Sequence, residues 1–331
     1  MRKILIVLLS LGAILFITTG IHFKLFLDTE INTRGKTVVF SIKPGSSIRR
    51  VALSLQKLSL IDQADYLVLL AKILNQDQRI RAGEYEITPG TTPIKLLNQF
   101  VSGKVIQHSL TLIEGWTFKQ MMQSVQQSKY LVHTLGNKTP AQVMTAIGHE
   151  GVHWEGRFFP DTYSFPRDTS DADFLQRAYA VMTRRLDNEW ANRSKGLPLK
   201  GPYETLILAS IVERETAAVE ERPLIANVFL SRLKKRMLLQ TDPTVIYGMG
   251  DRFKGDIRYR DLREDTPYNT YVHRGLPPTP IAMPSGEAIH AVLHPEATSY
   301  LYFVAKGEGK HQFSRTLKEH NAAVRKYQLK Q

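Results

Sequence analysis

The strongest constraint on the fold is an uncharged apolar run over residues 4–21, which directly follows Arg2 and Lys3. At ~1.5 Å per helical residue this run spans roughly 27 Å, close to the thickness of the hydrocarbon core of a bilayer. No small-x-small cleavage site follows it, so a retained single-span anchor is favoured over a cleaved signal peptide. Arg2 and Lys3 predict a cytoplasmic N-terminus, although Lys24 weakens the charge asymmetry. We therefore expect a protein of the inner (cytoplasmic) membrane, with most of its chain on the periplasmic or extracytoplasmic side.

The net charge limits the partners. A formal charge of +13 over 331 residues favours polyanionic partners: nucleic acid, anionic lipid headgroups or an acidic cell-wall polymer. The predicted anchor argues against nucleic acid, since most of the chain would lie outside the cytoplasm, and leaves the cell wall as the favoured partner. The chain has no cysteine, which excludes thiol catalysis, disulfides and cysteine-based zinc sites.

A strand, a glycine turn, a Ser/Thr helix cap and a helix follow one another three times, over residues 38–56, 83–103 and 108–125. Glycine permits the turn, and a Ser or Thr side chain accepts a hydrogen bond from an unpaired N–H of the first helical turn. The predicted caps are Ser46 and Ser47, Thr91 and Thr92, and Thr117. A further helix is predicted at about 63–75. Residues 37–105 therefore form a small α+β module after a linker at 24–36; it resembles LysM-like glycan-binding domains, although a strand–turn–helix unit is also generic.

The remainder reads as mainly helical, with irregular stretches. Residues 154–168 are rich in aromatic residues and lack helical or strand period, which favours core packing over stacking on sugar rings. Helices are predicted at about 172–193, from Pro202 and from Pro223. A long stretch rich in Tyr, Asn, Thr and Pro then precedes two strands and a C-terminal helix. Such a stretch is predicted to be a functional loop.

The chain lacks the sequence motifs that are typical of most classes of enzyme reaction. The chain has no dinucleotide-binding or phosphate-binding glycine loop, no H-E-x-x-H and no G-x-S-x-G, so neither a cofactor nor a metal is predicted. His290 and His294 are four residues apart, but the following Pro295 favours an end-of-helix role over metal binding.

Carboxylates remain, in the stretch "LILASIVERETAAVEER" (206–222). Glu215 continues the face formed by Leu208, Ile211 and Val212 at helical spacing, whereas Glu213 lies on another face. A carboxyl group at the end of an apolar stripe loses water, which raises its pKa toward the range of a general acid. Spacing alone also allows a solvated helix end.

Hydrolytic glycosidases usually need a second carboxylate. Asp242, in "QTDPT", is the candidate, although an Asp before a Pro is also a common turn opener.

Several longer blocks carry a family resemblance. "ASIVERET", "ANVFLSRL", "LQTDPTVIYGMG", "YNTY…GLPPTPI" and "YLYFVA…HQFSRTLKEHN" resemble the endolytic murein transglycosylases of the YceG-like family. The similarity also includes the anchor, the repeats and "EGRFFPDTYSFP", so it covers nearly the whole chain. One departure is visible: Pro284 is followed by Ser285 and Gly286, where we would expect Pro-Gly.

The resemblance implies an α+β protein with four parts: residues 1–23 as cytoplasmic stub and anchor, the 24–36 linker, the LysM-like glycan-binding subdomain at 37–105, and a mainly helical, lysozyme-like catalytic domain with β elements at 106–331. It also implies that the catalytic glutamate lies in the V-E-x-E motif. Glu215 is favoured because Thr216 follows it, as a hydroxyl residue follows the acid in related lytic transglycosylases; Glu213 is the alternative. The residues expected to bind the substrate are Glu213, Gln240, Asp242, Tyr247, Tyr268, Asn269, Thr270 and Tyr271.

The implied activity is that of a lyase that cleaves the MurNAc–GlcNAc β-1,4 bond within nascent peptidoglycan strands and leaves 1,6-anhydro-MurNAc ends. Such an activity would terminate glycan elongation and makes peptidoglycan synthases expected partners. Two alternatives stay open: a hydrolytic muramidase that uses Asp242 as its second carboxylate, and a non-catalytic, membrane-anchored wall-binding protein.

Overall fold

The computed structural model describes residues 2–329 and contains both helices and small sheets, as the sequence predicts. The chain divides into two compact units. The first contains the chain up to His108 together with Ser164–Asp168, and the second contains Ser109–Tyr163 and the chain from Thr169.

The first unit begins with the apolar helix. Its elements are α1 (Arg2–Asp28), β1 (Val38–Ile42), α2 (Ile48–Lys57), α3 (Ala64–Ile73), β2 (Gly83–Ile87) and α4 (Pro93–Ser102). Over the residues that the structure describes, α1 is the one helix long and apolar enough to cross a membrane, and none of its apolar window is buried within the protein. Its last turns differ from the rest, since Phe23 and Phe26 make edge contacts with the Tyr66 ring.

β1 and β2 pair in antiparallel register, with Phe40 opposite Tyr85. Both side chains are buried with Phe100 of α4 in the core of the first unit. Two of the predicted caps are confirmed, because the Ser47 and Thr92 side chains accept hydrogen bonds from the first turns of α2 and α4. The Ser46 and Thr91 side chains do not cap these helices; the Thr91 hydroxyl donates to the Thr88 carbonyl instead.

The second unit is mainly helical. Its elements are β3 (Gln107–Thr111), α5 (Phe118–Gln127), β4 (Leu131–Val132), α6 (Pro140–Ala146), β5 (Thr162–Pro166), β6 (Thr169–Ser170), α7 (Asp171–Ala191), α8 (Pro202–Glu215), α9 (Arg222–Lys234), α10 (Asp242–Met249), α11 (Gly286–Leu293), β7 (Tyr302–Gly307), β8 (Lys310–Ser314) and α12 (Leu317–Tyr327). β3 and β5 pair with each other. β4 and β6 are parallel, while β7 and β8 form an antiparallel hairpin.

The core of the second unit lies among α7, α8, α9 and α11. Every residue of α8 from Thr205 to Val212 is buried, so this helix is enclosed on all sides rather than amphipathic. The aromatic segment contributes Phe158 and Phe159, which are 0% and 6% exposed. Core packing of that segment is thus confirmed for these two rings.

One alternative weighed for Asp242 is wrong. Asp242 does not open a turn, because it is the first residue of α10, with Pro243 next to it. A proline is compatible with the first helical turn, where its missing N–H needs no partner.

The predicted cap of α5 is confirmed, since Thr117 and Gln120 form a reciprocal capping box.

Candidate active site

Glu215 ends α8 beside a polar cluster supplied by α10 and the segment after it. The Thr241 hydroxyl donates a 2.6 Å hydrogen bond to Glu215 Oε2. Burial raises the pKa of Glu215; the Thr241 hydrogen bond and the charges of His311 and Arg232 act in the opposite direction, and the charge of Asp242 adds to the increase. A carboxyl group in this state retains its proton to a higher pH than an ordinary glutamate.

Glu213, two residues earlier, lies in a different environment. Its Oε1 accepts a 2.9 Å hydrogen bond from the Arg222 guanidinium, and its Oε2 accepts from the Ser285 backbone N–H at 3.0 Å and from the Ser285 hydroxyl. The Glu213 and Arg222 side chains are 6% and 5% exposed. Glu213 is therefore held in a buried ion pair by α9 and by Ser285, the residue that caps α11.

The neighbours of Glu215 are themselves fixed. The Thr241 backbone N–H donates to the Thr270 hydroxyl at 3.1 Å, and the Thr244 and Thr270 hydroxyls are 2.9 Å apart. The Gln240 N–H donates to the Thr270 carbonyl, and Gln240 has a left-handed backbone with φ of 49°. This exchange of hydrogen bonds fastens the start of α10 to the segment at Thr270 and so sets the position of the Thr241 hydroxyl.

Asp242 and Tyr271 lie together on the exposed side of this cluster. The Tyr271 hydroxyl donates a 2.6 Å hydrogen bond to Asp242 Oδ1, and Asp242 is exposed. Because the charge of Asp242 contributes to the raised pKa of Glu215, the two carboxyl groups interact. The structure thus brings together three of the residues singled out in the sequence: Glu215, Asp242 and Tyr271.

The other predicted binding residues fall into two groups. Asn269 and Thr270 are 1% and 2% exposed, and their polar atoms bond to the protein, so the structure does not present them at a surface. Tyr247 and Tyr268 are half-buried and meet edge to face, with ring centroids 4.9 Å apart. The Tyr268 hydroxyl is 2.9 Å from the Thr279 hydroxyl.

Glu155 is a buried acid that sequence reasoning did not single out. It accepts hydrogen bonds from the Phe118 N–H at 2.8 Å and from the Tyr247 hydroxyl at 3.0 Å, and it is 2% exposed. Burial raises its pKa to about 7, against the opposing effect of these hydrogen bonds. Its partners lie far from it in sequence, and only its place in the "EGRFFPDTYSFP" block pointed to it.

Glu155→Gln tests this burial. The folded-state pKa of about 7 exceeds the ordinary value of 4.5, so the folded state loses stability as the pH rises from 4.5 through 7. Glutamine cannot ionise, so between pH 5 and pH 8 the unfolding free energy of the variant should rise relative to that of the wild type by about 2.5 kcal/mol. Denaturant unfolding of both proteins at the two pH values measures the change. Glu150→Gln, at an exposed position, is the control and should change little; equal pH dependence in all three proteins would contradict the burial of an ionisable Glu155.

Another group near Glu215 comes from the C-terminal hairpin. The His311 Nδ1 atom lies 2.8 Å from Glu221 Oε2, and its backbone N–H also donates to Glu221 at 3.1 Å. Arg232 of α9 donates to the carbonyls of Leu301 and Leu239 at 2.7 and 2.8 Å. These two groups supply the positive side of the field around Glu215. No sequence pattern indicates that they act on this acid.

The chain thus combines an acid at the end of a helix, a fold of helices and small sheets, and an apolar N-terminal helix. A family model described as the YceG-like family matches residues 40–326, and the chain belongs to this family. Two curated relatives are named endolytic murein transglycosylase. The Bacillus subtilis (strain 168) protein is 32% identical over 308 residues, which cover 88% of this chain and 85% of the relative. The Streptococcus pneumoniae serotype 2 (strain D39 / NCTC 7466) protein is 28% identical over 332 residues, which cover 90% of this chain but 59% of the relative's own length.

A crystal structure of a YceG-like protein from Listeria monocytogenes is similar in fold. It is 29% identical in sequence, with a TM-score of 0.53, and the match covers 87% of this chain and 99% of that one. The resemblance inferred from sequence blocks is therefore confirmed at the level of the family.

Proposed function

We propose that this protein is a membrane-anchored endolytic peptidoglycan lytic transglycosylase in which Glu215 is the sole catalytic acid and base. The observation that carries the proposal is the contrast within one helix turn. Glu215 has a raised pKa and one hydrogen bond, from Thr241, whereas both oxygens of Glu213 are occupied by Arg222 and Ser285. The relatives' name, endolytic murein transglycosylase, supplies the substrate class.

The first step is proton donation. Protonated Glu215 donates to the glycosidic oxygen, the bond from that oxygen to the MurNAc C1 breaks, and the GlcNAc 4-hydroxyl leaves. Positive charge develops on the MurNAc ring as an oxocarbenium-like centre. The raised pKa of Glu215 keeps the proton available to a higher pH than in an ordinary glutamate.

The second step uses the substrate's own nucleophile. Glu215, now a carboxylate, removes the proton from the MurNAc 6-hydroxyl while that oxygen bonds to C1 and closes the 1,6-anhydro ring. The proton lost from the 6-hydroxyl replaces the one that Glu215 gave up, so the enzyme returns to its starting state. Water does not enter, and a second catalytic carboxylate is not required.

The exposed residues around Glu215 are proposed to hold the glycan. Asp242 and Tyr271, joined by their hydrogen bond, offer an acceptor and a ring to a sugar, while Gln240 offers an amide to an N-acetyl group. Tyr247 and Tyr268 are proposed to stack on a sugar ring. Asn269 and Thr270 are proposed to position these groups from within the protein rather than to touch the glycan.

Asp242 also supports the second candidate, a hydrolytic muramidase. Its charge influences the pKa of Glu215, so it is close enough to be considered as a second carboxylate. Its hydrogen bond from the Tyr271 hydroxyl favours an orienting role instead. The two candidates differ in the end that they leave on the glycan.

The same proposal assigns roles to the other segments of the chain and to its partners. α1 anchors the chain, with its N-terminus in the cytoplasm and the residues that follow α1 outside. The module at 37–105 is proposed as a LysM-like glycan-binding subdomain, residues 106–331 as a lysozyme-like catalytic domain, and peptidoglycan synthases as partners. The net charge of +13 would attract the anionic wall polymer.

The direct test is to incubate the detergent-solubilised full chain with uncrosslinked glycan strands and follow strand length. Internal cleavage predicts rapid shortening of long strands, with little release of disaccharides at early times. Release of disaccharides from strand ends would contradict the endolytic part of the proposal. Glycan binding without any change in length would support the non-catalytic wall-binding alternative.

Thr241→Val tests the environment of the acid. The Thr241 hydroxyl lowers the pKa of Glu215 by donating to its carboxylate, so its loss should raise that pKa further. The alkaline limb of the pH–rate profile should then move to higher pH, because the acid stays protonated longer. Thr241→Ser keeps the hydroxyl and should retain the wild-type profile. An unchanged alkaline limb in Thr241→Val would contradict the assignment of that limb to Glu215.

A further inference from the structure

Two helices of the second unit bring three metal-binding side chains together away from Glu215. His290 lies on α11, His294 ends that helix, and Glu189 lies near the end of α7. One ligand atom from each residue can be chosen so that all three lie within 4.8 Å of one another. In the sequence, only His290 and His294 lie close together. The packing of α7 on α11 adds Glu189 as the third ligand.

The distances suit a small cation. The Glu189 Oε2 atom is 3.0 Å from His290 Nδ1 and 3.6 Å from His294 Nε2. Ligand atoms bound tetrahedrally at about 2.0–2.2 Å from a metal lie roughly 3.3–3.6 Å from one another. Small side-chain adjustments would therefore bring these atoms to coordinating positions.

The cluster is also incompletely satisfied as an ion pair. The contact from His294 Nε2 to Glu189 is too long for a good hydrogen bond. The two imidazole rings stack with centroids 4.3 Å apart, and each has a ring nitrogen within 3.6 Å of the same Glu189 oxygen. A single dication could bind all three of these atoms.

We propose that Glu189, His290 and His294 form a binding site for a late first-row divalent metal, represented by Zn²⁺. Two imidazole nitrogens and one carboxylate form a set that suits Zn²⁺, whereas Mg²⁺ and Ca²⁺ prefer oxygen ligands. His290 is 59% exposed and borders, with Glu189, a cavity of about 360 Å³, so a fourth position is open to water or another small ligand.

The metal would act as a clamp between α7 and α11. The segment that follows α7 is already joined to α11, because the Ser194 N–H donates to the Leu293 carbonyl at 2.9 Å. The other end of α11 begins at Ser285, which bonds to Glu213 on the helix of the candidate acid. Binding should therefore stabilise the second unit without adding a group to the active site.

The test uses the untagged full chain in detergent, stripped of metal with EDTA and then freed of chelator. Titration with Zn²⁺ should reveal a site of 1:1 stoichiometry, and Zn²⁺ at about a hundredfold excess over its Kd should raise the unfolding temperature by about 5 °C. Mg²⁺ at the same concentration should leave that temperature unchanged.

Variants separate this site from adventitious binding. At the Zn²⁺ concentration used for the wild type, His290→Ala and His294→Ala should each weaken Zn²⁺ binding at least tenfold and reduce the thermal shift to about half or less. His273→Ala is the matched control, because His273 is an exposed histidine that contacts the single carboxylate of Asp265. Since a variant could lose structure, each is first compared with the wild type by circular dichroism, and Co²⁺ absorption spectra report the ligand set in the wild type. Equal Zn²⁺ affinity in the wild type and the His290→Ala/His294→Ala double variant would overturn the proposal.

Discussion

Glu215→Gln is expected to lower the rate of glycan cleavage by about 10³-fold, the size of effect typical of a lost general acid. Glutamine has nearly the same shape but cannot donate the proton that the leaving oxygen needs. Its amide oxygen can still accept the Thr241 hydrogen bond, so the local structure should persist. Single-turnover cleavage of uncrosslinked strands measures the loss.

The stability of the same variant is an internal control. Because burial disfavours the ionised form of Glu215, a neutral glutamine should leave the unfolding temperature unchanged or higher. A variant that folds as well as the wild type but cleaves slowly would support a chemical role. Retention of wild-type cleavage would contradict the assignment of Glu215 as the acid.

Glu213→Gln should affect stability far more than chemistry. It removes the charged partner of Arg222, whose side chain is 5% exposed, and leaves a buried cation without compensation. Loss of one member of a buried ion pair typically costs about 3–5 kcal/mol. The unfolding free energy of the second unit should fall by that amount, while cleavage per folded molecule should fall much less than in Glu215→Gln.

Tryptophan fluorescence suits this measurement, because Trp116, Trp154 and Trp190 are the three tryptophans of the chain and all belong to the second unit. Glu204→Gln is the matched control on the same helix. Glu204 pairs with Lys200, whose side chain is 91% exposed, so its loss should cost under about 1 kcal/mol. Equal destabilisation by the two substitutions would contradict the structural role of Glu213.

The sequence was most informative where structure depends on neighbours along the chain. The turns and caps around Ser47, Thr92 and Thr117 follow from local chemistry, and the predicted strand–turn–helix order is present three times. The start of α8 at Pro202 follows from the same reasoning. These features use hydrogen bonds that span only a few residues.

Helical spacing places Glu215 on an apolar face of α8 and Glu213 on a different face. In the structure, α8 has no separate apolar and polar faces. The helix is buried on all sides from Thr205 to Val212, so both glutamates leave a buried segment. The two glutamates differ in their hydrogen-bond partners. Glu215 accepts from Thr241. Glu213 accepts from Arg222 and Ser285. Such contacts join distant parts of the chain, and helical periodicity contains no information about them.

Distant pairing also explains the groups that sequence reasoning missed. Burial raises the pKa of Glu155, whose hydrogen-bond partners Phe118 and Tyr247 are distant in sequence. Glu189 meets the two histidines only when α7 lies on α11. The residues next to a carboxylate in the sequence do not indicate whether that carboxylate is buried in the folded protein. The family resemblance named the blocks that contain Glu155 and His311 without giving either a role.

If the substrate supplies the nucleophile, one glutamate suffices for cleavage. Mass analysis of the glycan fragments made by the wild-type protein distinguishes this mechanism from hydrolysis. The new MurNAc ends should be lighter by one water than hydrolysis products, and Glu215→Gln should not form them. Reducing MurNAc ends in the wild-type digest would instead favour a muramidase with Asp242 as the second carboxylate.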